Sequence, residues 1–399
     1  MSRAIESPEE VESGIRFHYD LPPEFFALFL DKATMGYTCA YFRDGNDTLD
    51  QAQERKIELA FRKLQLKPGD RVLDIGCGWG NVVLRAAQLG CQVTGLTLAV
   101  EQARYVEAEA ARRGLSDRVK VVVQEARELP FEDASFDKIV TIGATEQIAD
   151  INLLFKEVSR VLTDEGLCLE HSIKASNEPD DMTPELEFMT RHIFPTGHVK
   201  RLGEYVNAFD AAGLELVDVH NMTDNYPLTL RRWQLNLEHA GEVAAAAVGV
   251  PGDRYRAQRL FLAGCIVAFA EAHSFLYQEV VRKTTPGVYR QTLPAGRESF
   301  HLDDPPSAPL PSPLIDNPLV SLEVRGGMGM WVEGVGGSLQ SGEPPRQPDC
   351  KLSVDATTMQ KVISGEMQVI DAYLDGLIDI EGELLAAVQV GSALLSLGR

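Results

Sequence analysis

Val72-Leu73-Asp74-Ile75-Gly76-Cys77-Gly78-Trp79-Gly80 is the stretch on which the reading of the fold turns. Arg71–Ile75 is a short, largely apolar run that reads as a strand, and Asn81–Leu89 reads as a helix. Glycines at alternate positions between them let the chain turn sharply and let a ligand lie against bare backbone. Gly-x-Gly-x-Gly alone is shared by nucleotide-binding folds of several kinds. The dinucleotide fingerprint requires a further glycine at position 81, which is Asn81. Asp74 can accept from the amino group of an amino-acid moiety, so the turn favours S-adenosylmethionine over NAD. A tight strand-to-helix turn without a ligand is the plain alternative.

Outward from this turn, strand-like and helix-like segments alternate. Gln92–Leu98, Val119–Val123, Phe136–Ile142 and Gly166–Ile173 read as strands; Glu101–Arg113 and Ile151–Leu162 read as helices. This rhythm predicts an α/β fold, a mostly parallel Rossmann-like sheet with helices on both faces. Thr97 and Leu98 end the second strand, and with Gln102 they are placed to meet ribose hydroxyls. The usual ribose-binding carboxylate is missing there. Glu125 and Ala126 follow the third strand, where an acid often holds an adenine amino group. Residues 1–65 look mainly helical, and residues 176–205 and 228–282 are helix-rich additions of the kind that form lids and substrate walls.

The chain has 399 residues, too many for one ordinary domain, with 44% hydrophobic and 24% charged residues. Its formal net charge of −21 disfavours nucleic acid and an anionic membrane surface as partners. The N-terminal MSRAIESPEEVES has no apolar signal core, and no run of 18 apolar residues occurs. Stable membrane insertion is therefore not expected. The six cysteines form no CxxC pair, which reads as a reduced, cytoplasmic protein without a structural zinc or other metal site. His301–Pro318 holds six prolines and is expected to be an extended, poorly hydrogen-bonded linker. The expected division is 1–290, a linker over 291–317, and a small α+β module over 318–399. Within that module, Val320–Val335 and Lys351–Val354 read as strand and Ala356–Ser364 as helix. Val369–Leu374, Leu377–Ile380 and Glu383–Leu397 follow as helix, strand and helix.

A longer series of motifs narrows the reading. In order they are FHYDLPPEFFALFLD (17–31), MGYTCAYF (35–42), TLDQAQERK (48–56), VLDIGCGWG (72–80) and VTGLTLAVEQ (93–102). Then come IGATEQI (142–148), LEHSIK (169–174), HIFPTGHV (192–199), NYPLTLRRW (225–233) and FLAGCIVAFAEAHSFLYQEVVRK (261–283). Residues 15–290 thereby resemble the cyclopropane-fatty-acid synthases, including the mycolic acid cyclopropane synthases. The resemblance implies a class I methyltransferase domain that uses S-adenosylmethionine and releases S-adenosylhomocysteine. It implies transfer of a one-carbon unit to a carbon–carbon double bond through a substrate carbocation, which a bound bicarbonate deprotonates. The positions resembling that family's bicarbonate holders are Cys39 and Ile173, through backbone, with Glu146, His171 and Tyr226. Those resembling its cofactor contacts are Tyr37, Thr38, Gly76, Thr97 and Gln102, beside Asp74, Gly78 and Gly80 of the turn.

Taken singly, each of these residues has a plainer reading. Cys39 suits a small buried apolar group, His171 a sheet-end histidine, Glu146 a helix cap and Tyr226 a packing residue. Their co-occurrence in matching motifs is what favours function. Two departures stand out: the family's usual Glu-His pair is Glu146-Gln147 here, and Lys200 and Arg201 follow HIFPTGHV. Both concern the expected acceptor side, so the acceptor need not be a conventional fatty acyl chain. A natural-product C-methyltransferase, or a cyclopropanase or cyclase acting on a terpenoid, polyketide or alkaloid, is the alternative. A lipid-binding protein with a vestigial methyltransferase domain is a third reading. Residues 318–399 resemble the sterol-carrier-protein-2 type of lipid-binding domain, through PDCKLSVDATTMQKVISGEMQVIDAYLDGLIDIEGELLAAVQV (348–390). A rigidifying or dimerising module is the alternative for this tail, with a homo-oligomer as its consequence. The expected partner is a hydrophobic small molecule or lipid.

Overall fold

The computed structural model describes residues 21–176, 184–194, 197, 199–284, 310–325 and 329–391. Residues 17–20 of the first motif, 195, 196 and 198 of HIFPTGHV, most of the proline-rich stretch and residues 392–399 lie outside the described residues.

Seven strands form the first sheet: β1 (Arg71–Ile75), β2 (Gln92–Thr97), β3 (Val119–Val123), β4 (Phe136–Ile142), β5 (Leu162–Ala175), β6 (Leu214–Asn221) and β7 (Ser274–Lys283). Their order is β3-β2-β1-β4-β5-β7-β6. The first five run parallel, and β7 is antiparallel to both β5 and β6. β1 and β4 bury apolar residues on both faces, as strands of a parallel sheet covered by helices on both sides do. The helix Ile151–Val161 illustrates the covering. It buries Ile151, Leu154, Phe155, Val158 and Val161 at helical spacing, and the Asp150 carboxylate caps the N–H groups of Asn152 and Leu153.

The strand reversal lies between β1 and β4, where the chain leaves β1 toward β2 on one side and β4 enters from the other. Ligands of open α/β sheets bind outside the carboxyl ends of the strands at such a point. Gly76, Leu98 and Gly143 leave β1, β2 and β4 together there.

Three local expectations change. The described part of residues 1–65 has helices only at Pro23–Phe26 and Leu49–Lys63. Between them the Asp31 carboxylate accepts the N–H groups of Thr34 (2.6 Å) and Gly36 (2.9 Å), which holds the chain in a turn. β5 starts at Leu162, earlier than Gly166. β6 is an additional edge strand, whose apolar–polar alternation is broken by a register shift between Leu216 and Asp218.

A second, five-stranded sheet comprises β8 (Leu319–Val324), β9 (Gly329–Glu333), β10 (Gln340–Ser341), β11 (Cys350–Val354) and β12 (Ile378–Gly382), in the order β10-β9-β8-β11-β12. Helices Ala356–Ser364, Val369–Leu374 and Leu384–Gln389 accompany it. This sheet is docked on the first unit. Val320, Leu322, Val332, Cys350 and Leu385 share one apolar cluster with Phe29, Trp233 and Phe261. Arg256 donates to the Leu374 carbonyl at 2.9 and 2.6 Å, and Arg231 pairs with Glu383. The described end of the proline-rich stretch is also held, since Ile315 exchanges two hydrogen bonds with the Gln389 side chain. Among the described residues no helix is long and apolar enough to cross a membrane.

Candidate active site

A cavity opens at the carboxyl ends of β1, β2 and β4. Of the cofactor candidates, Tyr37, Thr38, Asp74, Gly76, Gly78, Thr97, Leu98, Gln102, Glu125 and Ala126 line it. Gly80 does not; it meets the helix Val100–Arg112, where a Cβ would come within 2.7 Å of Val106. Gly76 and Gly78 have positive φ, 78° and 51°. A Cβ at Gly76 would strike Ala144 at 2.4 Å, whereas nothing stands within 4 Å of one at Gly78. Gly76 therefore permits close approach between strand ends, and Gly78 leaves backbone bare for a ligand.

Asp74 is buried, and burial pushes its carboxyl up to about 7. An ammonium group brought beside it would pull it back into the ionised state, which suits the amino-acid end of S-adenosylmethionine. Thr97 donates to the Gln102 side-chain carbonyl at 2.7 Å, so these two are tied to each other on the cavity wall. Glu125 is engaged by Arg127 through its side chain (2.9 Å) and backbone N–H (3.0 Å).

The segment carrying Tyr37, Thr38 and Cys39 is clamped from the helix Leu49–Lys63. Gln53 donates to the carbonyls of Gly36 (3.1 Å) and Thr38 (2.8 Å). Lys56, buried beneath the same segment, donates to the Thr38 hydroxyl and the Gln53 carbonyl, both at 2.6 Å. Burial depresses the Lys56 ammonium to about 8. Because an ammonium only donates, the Thr38 oxygen is the acceptor, and its own proton is free to point elsewhere. On the other side Thr229 accepts the Ala40 N–H (3.0 Å), and Asn225 accepts that of Phe42 (2.8 Å).

The five base-site candidates lie beside this cavity rather than on its lined wall. Cys39 follows the lining residue Thr38, and Glu146 precedes Gln147. Glu146 Oε1 accepts the Ile173 N–H at 2.8 Å, while Glu146 Oε2 is buried with no partner. His171 shares the strand face of Ile173; its Nδ1 lies 3.3 Å from the Gln278 amide nitrogen, and its Nε2 is buried without a partner. Burial pushes Glu146 up to about 7 and His171 down to about 3. His171 is therefore neutral, and with the Gln278 amide donating to Nδ1 its proton sits on Nε2. Burial raises the Cys39 thiol to about 12, so it is no nucleophile at neutral pH. Tyr226 stays a phenol, held well above its ordinary value by burial, with its ring 4.6 Å from that of Phe269. Trp233 lies against both Tyr37 and Tyr226, at 5.2 and 6.3 Å between ring centres.

Lys56, Gln53, Gln278 and Trp233 are absent from the sequence expectations. All four stand inside quoted motifs, Gln53 and Lys56 in TLDQAQERK, Trp233 in NYPLTLRRW and Gln278 in the 261–283 segment, and Trp233 was within reach as an aromatic. Lys56 reads as an ordinary charge on a helix face, and Gln278 becomes relevant only when β7 pairs it with His171.

The fold agrees with comparisons to known proteins. A family profile described as mycolic acid cyclopropane synthetase matches residues 6–279. A probable fatty acid methyltransferase of Pseudomonas putida is 38% identical over 295 residues, covering 72% of this chain and 73% of that protein. The structure of the cyclopropane synthase MmaA2 from Mycobacterium tuberculosis superposes with a TM-score of 0.64 at 30% identity, covering 68% of this chain and 98% of that one. That of the mycolic acid cyclopropane synthase CmaA1, complexed with SAH and CTAB, gives 0.63 at 30% identity over the same shares. This chain is thus a class I S-adenosylmethionine-dependent methyltransferase, and it belongs to the mycolic acid cyclopropane synthetase family.

Proposed function

We propose that this enzyme adds a one-carbon unit to a carbon–carbon double bond of a hydrophobic, lipid-type acceptor, and that the resulting acceptor cation loses a proton to a bicarbonate held by Glu146, His171, Tyr226 and the backbone of Cys39 and Ile173. When bound, S-adenosylmethionine supplies the electrophilic methyl carbon. The residues proposed to hold it are Tyr37, Thr38, Asp74, Gly76, Gly78, Thr97, Leu98, Gln102, Glu125 and Ala126, with Gly80 shaping the turn.

One observation carries the anion site: two buried polar atoms, Glu146 Oε2 and His171 Nε2, are left without partners beside the Ile173 N–H, which itself donates to Glu146 Oε1. Native proteins rarely leave such atoms orphaned unless a ligand or water completes them. Protonated at Oε2, Glu146 donates a hydrogen bond; His171 donates from Nε2–H. Both therefore suit an anion and disfavour a cation. Tyr226, Trp233, Tyr37 and Phe269 surround the region with aromatic faces, which stabilise positive charge on an acceptor.

The tail is read as a lipid-handling module of the sterol-carrier-protein-2 type, beginning near residue 318 after the linker at 291–317. Its apolar continuity with Phe261 and Trp233 supports a docked wall that keeps an apolar acceptor near the site.

The test uses trideuteromethyl-labelled cofactor with unsaturated phospholipids and natural-product extracts, read by mass spectrometry. An acceptor that gains one carbon with two deuterium atoms has closed a ring, and one that keeps three has been methylated. Label appearing only on heteroatoms, or nowhere, would refute the reading.

A further inference from the structure

The strand that carries His171 and Ile173 has a second buried face, and that face is charged. Glu170, Ser172 and Lys174 alternate with the site residues along β5, and β7 sets Glu279 directly opposite Glu170. Glu170, Lys174 and Glu279 are all fully buried. Lys174 Nζ lies 2.7 Å from Glu170, 3.4 Å from Glu279 and 2.5 Å from the Ser172 hydroxyl, and 3.3 Å above the Tyr205 ring. Two facing carboxylates and one ammonium would carry a net negative charge away from water. A proton on Glu279 removes it.

This group reaches the active site through one residue. Thr145 donates to Glu170 at 2.7 Å and lies 2.9 Å from the Tyr205 hydroxyl, which also accepts from Ser172 at 3.2 Å. Thr145 and Glu146 are neighbours in one short 3-10 turn, Thr145–Gln147, that follows β4. Thr145 points to the charged face of β5, while Glu146 reaches the Ile173 N–H on the same strand.

We propose that the buried Glu170–Lys174–Glu279 group, acting through Thr145 and Tyr205, is the positioning device that holds the Glu146 carboxyl in place. The proposal rests on the reading of Glu146 as part of the base site. The electrostatics agree with the geometry. Against burial, the Lys174 charge and the hydrogen bonds from Glu279, Lys174 and Ser172 together keep Glu170 ionised, whereas burial and the facing Glu170 keep Glu279 protonated. Glu170 favours the protonated form of Glu146, and Lys174 opposes it. Lys200, Tyr205 and Tyr226 are the other titratable groups that interact with Glu146.

The experiment follows the Glu146 carboxyl by carbon-13 NMR in the full chain labelled at glutamate Cδ, with S-adenosylhomocysteine added and the signal assigned by its loss in Glu146→Gln. Thr145→Val releases the turn, so water reaches the carboxyl and its titration midpoint falls by about one pH unit or more. Thr145→Ser restores it. Lys174→Met leaves two facing carboxyls sharing one proton, and the midpoint rises by about one pH unit. A purely structural role would lower the midpoint in Thr145→Val and Lys174→Met alike, as the site loosens. Midpoints that fall together, or a Thr145→Val midpoint equal to that of the parent, overturn the proposal. Thr145→Val, nearly isosteric, decides the matter alone if Lys174→Met does not fold. Glu146→Gln with full turnover would instead remove the base-site reading and leave the network result standing.

Discussion

β5 carries two buried environments back to back. On one face His171 and Ile173 stand beside the cofactor cavity, and the polar atoms His171 Nε2 and Glu146 Oε2 have no partner. On the other, Glu170, Ser172 and Lys174 are bound to one another and to Thr145 and Tyr205. The same strand thus spends its polar groups in opposite ways. The interlocked face contributes rigidity, and the orphaned face, on the proposed reading, gives up stability for a site that a ligand completes.

Substitutions should separate the two faces. Lys174→Met leaves one buried carboxylate charge, shared by Glu170 and Glu279, uncompensated and should lower stability by about 3–5 kcal/mol in denaturant unfolding. A stability unchanged from the parent would dissolve the distinction. Glu146→Gln should cost roughly a hundredfold or more in turnover while unfolding and S-adenosylhomocysteine affinity stay near those of the parent. The cofactor wall tests the same contrast through pH. Asp74 is held up to about 7, and an ammonium ligand requires it ionised. Affinity for S-adenosylhomocysteine should therefore be flat above pH 7 and fall toward tenfold per unit below it. Asp74→Asn should bind weakly and without that slope, as calorimetry across pH 6–8 would register. The smallest effect concerns the docked sheet. Arg256→Ala removes the bond to the Leu374 carbonyl and should cost about 1–2 kcal/mol, with a few-fold rise in KM for an apolar acceptor. An unchanged KM would make the tail structural only.

Much of this contrast was legible in the residues, but unevenly. The Gly76–Gly78 turn and the alternation of strands and helices along β1 to β4 follow from local patterns, and the base-site candidates were named from the ordered motifs. β6 was not legible, because the register shift at Leu216/Asp218 breaks the alternation that marks a strand. The charged face of β5 was hidden for a different reason. Glu170 and Lys174 in a strand suggest solvent, and only the pairing with β7 and the cover of Tyr205 put them inside. Lys56 was missed likewise, since helical periodicity says nothing of a loop folding over it. The proline-rich stretch does announce a boundary, yet its described end is tied to Gln389 rather than loose.

Glu146 Oε2 and His171 Nε2, the two orphaned atoms beside Ile173, are proposed to hold an anion. Carbon-13-labelled bicarbonate, titrated into the full chain with S-adenosylhomocysteine bound and followed by NMR line-broadening, tests it directly. Saturable binding is expected in the parent and lost in Glu146→Gln and His171→Ala while S-adenosylhomocysteine still binds. Equal bicarbonate binding in the parent and both variants, or none in the parent, would contradict it.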